Sequence, residues 1–354
     1  MKKTFKIESV LEAAIKENVS DVHFTSNEIP YIRVNRRLIC LNEVGIITTE
    51  ELEDFLFSIL LDDMRENLYK ERSLDFSYTF KKGHRFRVNA FFESGRLCCA
   101  LRYIPSEIKS IEELNLPESL HKISQATQGF VLVTGPTGHG KSTTLASIIQ
   151  EINIKRSEHI ITIENPIEYI FKDGQSLIHQ REVGVDTPSF NRALKDALRE
   201  DPNVIMVGEM RDLETMATAI TAAETGHLVL STLHTNSAAE TIHRIVDSFP
   251  PHQQNQVRLQ LASSLLAIIS QRLLPSLNGG LIPAVEILFK NAAVSNLIRE
   301  NKIHEVHNIM ESSIKEGMIS LNRYLVKLVK EGKISQEVAF VFSNDPQELK
   351  LFLS

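Results

Sequence analysis

The residues Gly135-Pro136-Thr137-Gly138-His139-Gly140-Lys141-Ser142 fit the spacing G-x-x-x-x-G-K-[ST], with Thr143 directly behind. This is the pattern of a phosphate-cradling loop. Glycines let successive backbone N–H groups turn inward around phosphate oxygens without a Cβ in the way. A helix starting at such a loop adds partial positive charge at its N-terminus. Lys141 is placed to reach the β- and γ-phosphates of a nucleotide, and the Ser142 hydroxyl to sit on Mg²⁺. An apolar run, Phe130 to Val133, leads in. Leu145, Ile148, Ile149 and Ile152 follow at helical spacing, so the loop has its strand before and its helix after.

Three further stretches carry chemistry. Val204-Ile-Met-Val207-Gly-Glu209 is an apolar strand ending in an acid, the Walker B pattern, which makes Glu209 a candidate Mg²⁺ ligand beside Ser142. Ile160-Ile-Thr-Ile163-Glu164 ends likewise, and Pro166 stops the strand so that Glu164 and Glu168 stand near a sheet edge. A carboxylate there orients an attacking water or takes its proton, unless it is a plain surface acid. His227 and His234 flank the apolar run Leu228–Leu233. They read either as γ-phosphate contacts or as packed surface histidines.

The elements that must hold these residues follow from the pattern of the whole chain. With 354 residues, two domains are expected. Residues 7–18 carry Ile7, Val10, Leu11, Ala14 and Ile15 on one helical face, with Ser9 and Glu12 as a capping box. Strand-like pieces follow at 21–25, 31–34 and 38–41. A helix over 50–61 is capped by Thr48 or Thr49. Three more strands come at 74–80, 86–92 and 97–103. Residues 1–104 thus read as a small α+β domain with an antiparallel sheet. Residues 105–125 read as a linker punctuated by Pro105 and Pro117. From 126 to 289, strands at 130–134, 159–163, 204–207 and 228–232 alternate with helices, the signature of a mostly parallel α/β sheet. Helices at 291–300, 303–315, 320–331 and 335–342 fill the remainder, 290–354.

Composition excludes several classes. The formal net charge is −6. The first 104 residues balance 16 basic against 16 acidic side chains, and the rest carry 29 acidic against 23 basic. That is not the basic footprint of a nucleic-acid binder. Cys40, Cys98 and Cys99 form no metal or disulfide framework. No apolar run approaches the ~18–20 residues that span a bilayer. The basic start, Met1-Lys-Lys-Thr-Phe-Lys, is followed by Glu8, Glu12 and Lys16, which exclude a signal peptide. Membrane association is therefore expected only through partners.

Together the motifs resemble those of the secretion-type hexameric ATPases and, within them, the type IV pilus retraction ATPases. The matching segments are GPTGHGKST, TIENPIEY (the acidic box), DPNVIMVGEMRDLET (Walker B) and TGHLVLSTLHTNSA (the His box). SDVHFT, RFRVNAFF and LRYIP resemble that family's PAS-like N-terminal domain, and AVSNLIRENKIHEV resembles its retraction motif. The resemblance implies a RecA-like P-loop ATPase domain and a cytoplasmic hexameric ring using ATP and Mg²⁺. The ring would sit at the inner face of the plasma membrane on a platform protein of the pilus machinery. It also implies Glu164 as catalytic carboxylate, Glu209 as Walker B acid, and His227 and His234 as the His-box pair. Arg85, Arg87 and Arg102 would be arginines offered to a neighbouring subunit's γ-phosphate.

Three positions depart from the family's pattern. His139 replaces a small residue in the loop, where its ring either lies outside the loop or perturbs affinity. Asn165 replaces an acid, and Ser295 an arginine of the retraction motif. The rival readings are an accessory, weakly hydrolysing subunit, a pilus-assembly or type II secretion ATPase, and a nucleic-acid motor. The assembly type is expected to carry a longer N-terminal region and a tetracysteine insert. The acidic balance opposes the nucleic-acid motor.

Overall fold

The computed structural model describes residues 5–17, 19–34, 37–104, 107–172 and 174–353. Lys2, Lys3 and Pro105 lie outside them. The chain forms two compact units, Met1–Glu107 with Asn165–Ile170, and Ile108–Glu164 with Phe171–Ser354.

In the first unit, helix α1 (Phe5–Lys16) buries Ile7, Val10, Leu11 and Ala14, the face its spacing predicts. Ser9 is no cap: it lies inside α1 and its hydroxyl donates back to the Lys6 carbonyl at 2.8 Å. Strands β1 (Asp21–Thr25), β2 (Tyr31–Val34) and β3 (Arg37–Cys40) come next. Helix α2 (Thr49–Ile59) opens on a capping box: the Thr48 hydroxyl accepts from the Glu51 N–H at 3.2 Å, and the Glu51 carboxylate accepts from the Thr48 N–H at 2.8 Å. Helix α3 (Asp62–Glu71) has no signal in the hydrophobic pattern, because Leu68 is its one fully buried side chain. Strands β4 (Ser73–Phe80), β5 (His84–Glu93) and β6 (Arg96–Ile104) complete an antiparallel sheet in the order β3-β2-β1-β6-β5-β4.

The second unit begins earlier than the linker reading of 105–125 implies. Ile111, Leu116, Leu120 and Ile123 are buried in its core, and α4 (His121–Gln125) packs on the helix that follows the phosphate loop. Isoleucines and leucines that look scattered in sequence are the inward residues of a segment too irregular to show a period. Its sheet is built from β7 (Gly129–Thr134), β8 (His159–Glu164), β9 (Leu177–Glu182), β10 (Val204–Val207), β11 (Leu228–Leu233), β12 (Leu265–Pro275) and β13 (Leu281–Phe289), in the order β13-β12-β7-β11-β10-β8-β9. All pairs are parallel except β12 with β13. β7, β10 and β11 are buried at every position, which is why they read as continuous apolar runs.

The helices of this unit are α5 (Lys141–Lys155), α6 (Phe190–Ala197), α7 (Leu213–Glu224), α8 (Ala238–Asp247), α9 (Pro251–Ser264), α10 (Ala292–Arg299), α11 (Val306–Ser312), α12 (Leu321–Lys330), α13 (Gln336–Phe342) and α14 (Pro346–Leu353). Asp212, Ser237, Asn291, Ser320 and Ser335 each accept a backbone N–H and cap α7, α8, α10, α12 and α13. Ser295 is buried on α10, its hydroxyl donating to the Ala262 carbonyl of α9 at 3.1 Å.

The position of residues 108–125 in the core sets a testable expectation. Ile111→Ala should lower the stability of the second unit by about 2–5 kcal/mol in chemical denaturation. A change below about 0.5 kcal/mol is what a surface linker would give.

Candidate active site

Parallel register gathers the chemistry at one edge of the second unit's sheet. Thr134 lies opposite Leu233, Ser231 opposite Val207, and Val207 opposite Ile163. The chain therefore leaves β7 into Gly135, β11 into His234 and β10 into Gly208-Glu209 at nearly the same level, where β8 ends in Glu164. Backbone bonds carry the alignment past the strand ends: Gly135 N–H donates to Leu233, Gly208 N–H to Ile163 and Met210 N–H to Thr232. The Thr232 hydroxyl adds a bond to the Gly208 carbonyl at 2.7 Å. The carboxyl ends of an open parallel sheet are where such folds hold ligands.

The loop 135–142 has the shape its glycines predict. Gly135, Gly138 and Gly140 all have positive φ. At Gly135, with φ of +142°, a Cβ would lie 2.2 Å from the Gln271 carbonyl oxygen, so only glycine fits. Gly140 is the N-cap of α5, and Lys141 and Ser142 open that helix. Pro136, Thr137 and His139 fill the loop between, and Thr143 follows in the first turn. The Lys141 side chain is 8% exposed, and its ammonium donates to the Gly135 and Pro136 carbonyls at 2.8 and 3.0 Å. A glycine-rich loop with positive-φ turns, opening directly into the N-terminus of α5, fits a nucleotide's phosphates.

The acids beside it differ in setting. Glu164 is 8% exposed, and its Oε1 accepts from the Thr162 hydroxyl at 2.8 Å and the Gln180 amide at 3.3 Å. Both bonds fix its direction. Glu209 is half-buried; Arg211 Nε stands 2.8 Å and His234 Nε2 3.9 Å from its Oε2. Arg211 is largely exposed, so that pair holds Glu209 only weakly. Burial, with the Lys141 charge second, pushes the His234 imidazole below its ordinary pKa even though Glu209 pulls the other way. His234 is therefore a neutral hydrogen-bonding ring at pH 7. Hydroxyl and carboxylate oxygens from Ser142 and Glu209 are the hard donor set that Mg²⁺ prefers.

His227 is not brought to this edge. It precedes β11, whose first residue pairs with Gly129, so it lies at the amino end of the strand. Six residues at ~3.3 Å per residue put it about 20 Å from the loop. Its Nδ1 bonds to the Ala222 carbonyl at 2.9 Å, closing the end of α7. Strand geometry overrules the expectation of a histidine pair in one site. Glu168 belongs to the first unit, where it stands 4.0 Å from Arg87.

The three candidate arginines lie on the first unit's sheet. Arg87 sits directly opposite Arg102 across β5 and β6, and Arg102 opposite Asp21 across β6 and β1. Asp21 accepts from Arg102 Nε at 2.9 Å, and Asp75 accepts from Arg87 at 2.5 Å. Arg85 donates to the Thr79 hydroxyl at 3.0 Å and to the Ile167 carbonyl at 3.1 Å. Arg87 and Arg102 therefore lie opposite each other on one sheet face, each bonded to an acid.

Sequence reading missed Thr162, Gln180, Arg211 and, most of all, Gln271. Gln271 sits on β12, 132 residues after the His139 carbonyl it bonds. No local signal marks it.

Comparison with known proteins places these features in context. The profile of the Type II/IV secretion system protein family matches residues 3–309. The chain is 42% identical to the type IV pilus retraction ATPase PilT of Pseudomonas aeruginosa over 333 residues, 94% of this chain and 96% of that one. It is 36% identical to the type IV pilus ATPase PilU of the same organism over 349 residues, 98% and 91% of the two chains. A crystal structure of the pilus retraction motor PilT with bound ADP superposes with a TM-score of 0.91 at 47% identity, covering 98% of this chain and 99% of that one.

Gly135→Ala should abolish ADP binding in a calorimetric titration, with secondary structure retained by circular dichroism. Unchanged ADP affinity would mean that the loop does not need the close approach to Gln271.

Proposed function

The chain belongs to the Type II/IV secretion system protein family as a PilT-like pilus ATPase, and from that premise we propose that it is an ATP-hydrolysing hexameric motor powering type IV pilus retraction. The observation that carries the reading is the convergence of the Lys141 loop, Glu164, Glu209 and His234 at one sheet edge by strand register. The near full-length likeness to a protein named for pilus retraction supports the direction of action.

In this reading the 135–143 backbone and Lys141 hold the phosphates of ATP. Ser142 and Glu209 would hold Mg²⁺, which when bound neutralises phosphate charge. Glu164, held by Thr162 and Gln180, orients the attacking water. Neutral His234 donates a hydrogen bond toward the γ-phosphate and reports its loss. Arg85, Arg87 and Arg102 are offered to the site of a neighbouring subunit. A planar guanidinium suits that task, and supplying it in trans ties turnover to assembly. Head-to-tail contacts of this kind close into a ring. Rigid-body motion of the two units would then deliver work to a platform protein in the inner membrane. Among the described residues no helix is long and apolar enough to cross a membrane. We place the ring in the cytoplasm, held at the membrane by that partner.

A second reading, an accessory retraction ATPase with weak turnover, stands beside it because PilU, named as a type IV pilus ATPase and not for retraction, is also similar across 98% of the chain. It also rests on Asn165, which removes a charge beside Glu164. Lys141→Ala should lose nucleotide binding. Glu209→Ala should bind ATP yet lower turnover by at least about 100-fold, on the scale of losing one preorganised electrostatic group. Arg102→Ala should behave like Glu209→Ala. Normal hydrolysis in either of the last two would remove that residue from the site.

A further inference from the structure

β12 runs on past the end of its neighbour. β7 pairs with it only as far as Thr134 opposite Ser270, whereas β12 continues to Pro275 against β13 alone. From Gln271 onward the backbone groups on the β7 side have no strand to meet, and buried backbone donors need partners. The phosphate loop supplies them. The Leu273 N–H donates to His139 Nδ1 at 2.9 Å, where a continued β7 would have offered a carbonyl. The Gln271 side chain closes the same gap from the other side. Its Nε2 donates to the His139 carbonyl at 2.8 Å, and its Oε1 accepts from the Thr144 hydroxyl at 2.7 Å. Gln271 is 3% exposed, and its backbone carbonyl is the atom that forbids a Cβ on Gly135.

We propose that His139 and Gln271 are positioning residues that fix the phosphate loop against the overhanging end of β12 and so set the affinity for the nucleotide diphosphate group. Three bonds join the middle of the loop and the first turn of α5 to one strand. They hold the loop's N–H groups in place before a ligand arrives, and that ordering cost is then not charged to binding. The imidazole points at the sheet and leaves the cradle clear. Nδ1 must be the unprotonated nitrogen, because it accepts. Burial, together with the charges of Lys141 on α5 and Arg272 on β12, lowers the His139 pKa and favours that neutral form.

The inference deepens the nucleotide reading and rests on it, so the test separates the two. ADP binding is measured by calorimetry on the full chain and on His139→Ala, His139→Asn and His139→Leu, with thermal melting of each. Wild type should bind ADP; if it does not, the nucleotide reading itself fails. His139→Ala and His139→Leu should bind about tenfold more weakly, the scale of one buried donor left unmet. His139→Asn, whose Oδ1 reaches where Nδ1 stood, should stay within about twofold of wild type. If the alanine variant does not fold, the leucine and asparagine pair decides. Equal affinity in all three variants overturns the assignment. So does an asparagine variant as weak as the leucine one.

Discussion

The pairing of β7, β11, β10 and β8 in one parallel register is the constraint on which the rest depends. Each strand is buried, so every backbone N–H and C=O along it must find a partner in the next strand. A slip of one residue would exchange the two faces of each strand and unseat the packing on both. Register is thus fixed by burial, and burial is fixed by unbroken runs such as Phe130–Val133 and Val204–Val207. Function follows from where those runs stop. Four strands end at nearly one level, and the polar residues at those ends share one side of the sheet without any local motif joining them.

The second constraint is the mismatch in length between β7 and β12. A strand that outlasts its neighbour leaves orphaned backbone groups, and here the phosphate loop covers them. Gly135 therefore answers to two demands: a positive φ in the loop and close approach to the Gln271 carbonyl. His139 fits the same logic. In sequence it looks like an intrusion into a small-residue loop. In the structure it completes the sheet.

Much of this was legible in the chain itself. The phosphate loop, the acid after Val207 and the acid after Ile163 all end apolar runs, so pattern alone places them on strands. β10 has the predicted bounds, and α5 buries the predicted Leu145, Ile148, Ile149 and Ile152. The failures have physical causes. His227 is grouped with His234 by resemblance to the His box, although the strand between them holds the two at opposite ends. α3 was missed because a helix that buries one leucine has no period to detect. β12 and β13 were missed because their apolar runs adjoin helical patterns and periodicity cannot separate short buried strands from buried helices. Gln271 was invisible because tertiary packing alone brings it to the loop.

The central claim is that these strand ends form a site that hydrolyses ATP and is completed between subunits. Steady-state ATP turnover per protomer, followed across protein concentration with Mg²⁺ present, tests it most directly. The account predicts a rate that climbs with concentration and levels off as rings assemble. Absence of turnover at every concentration would contradict it.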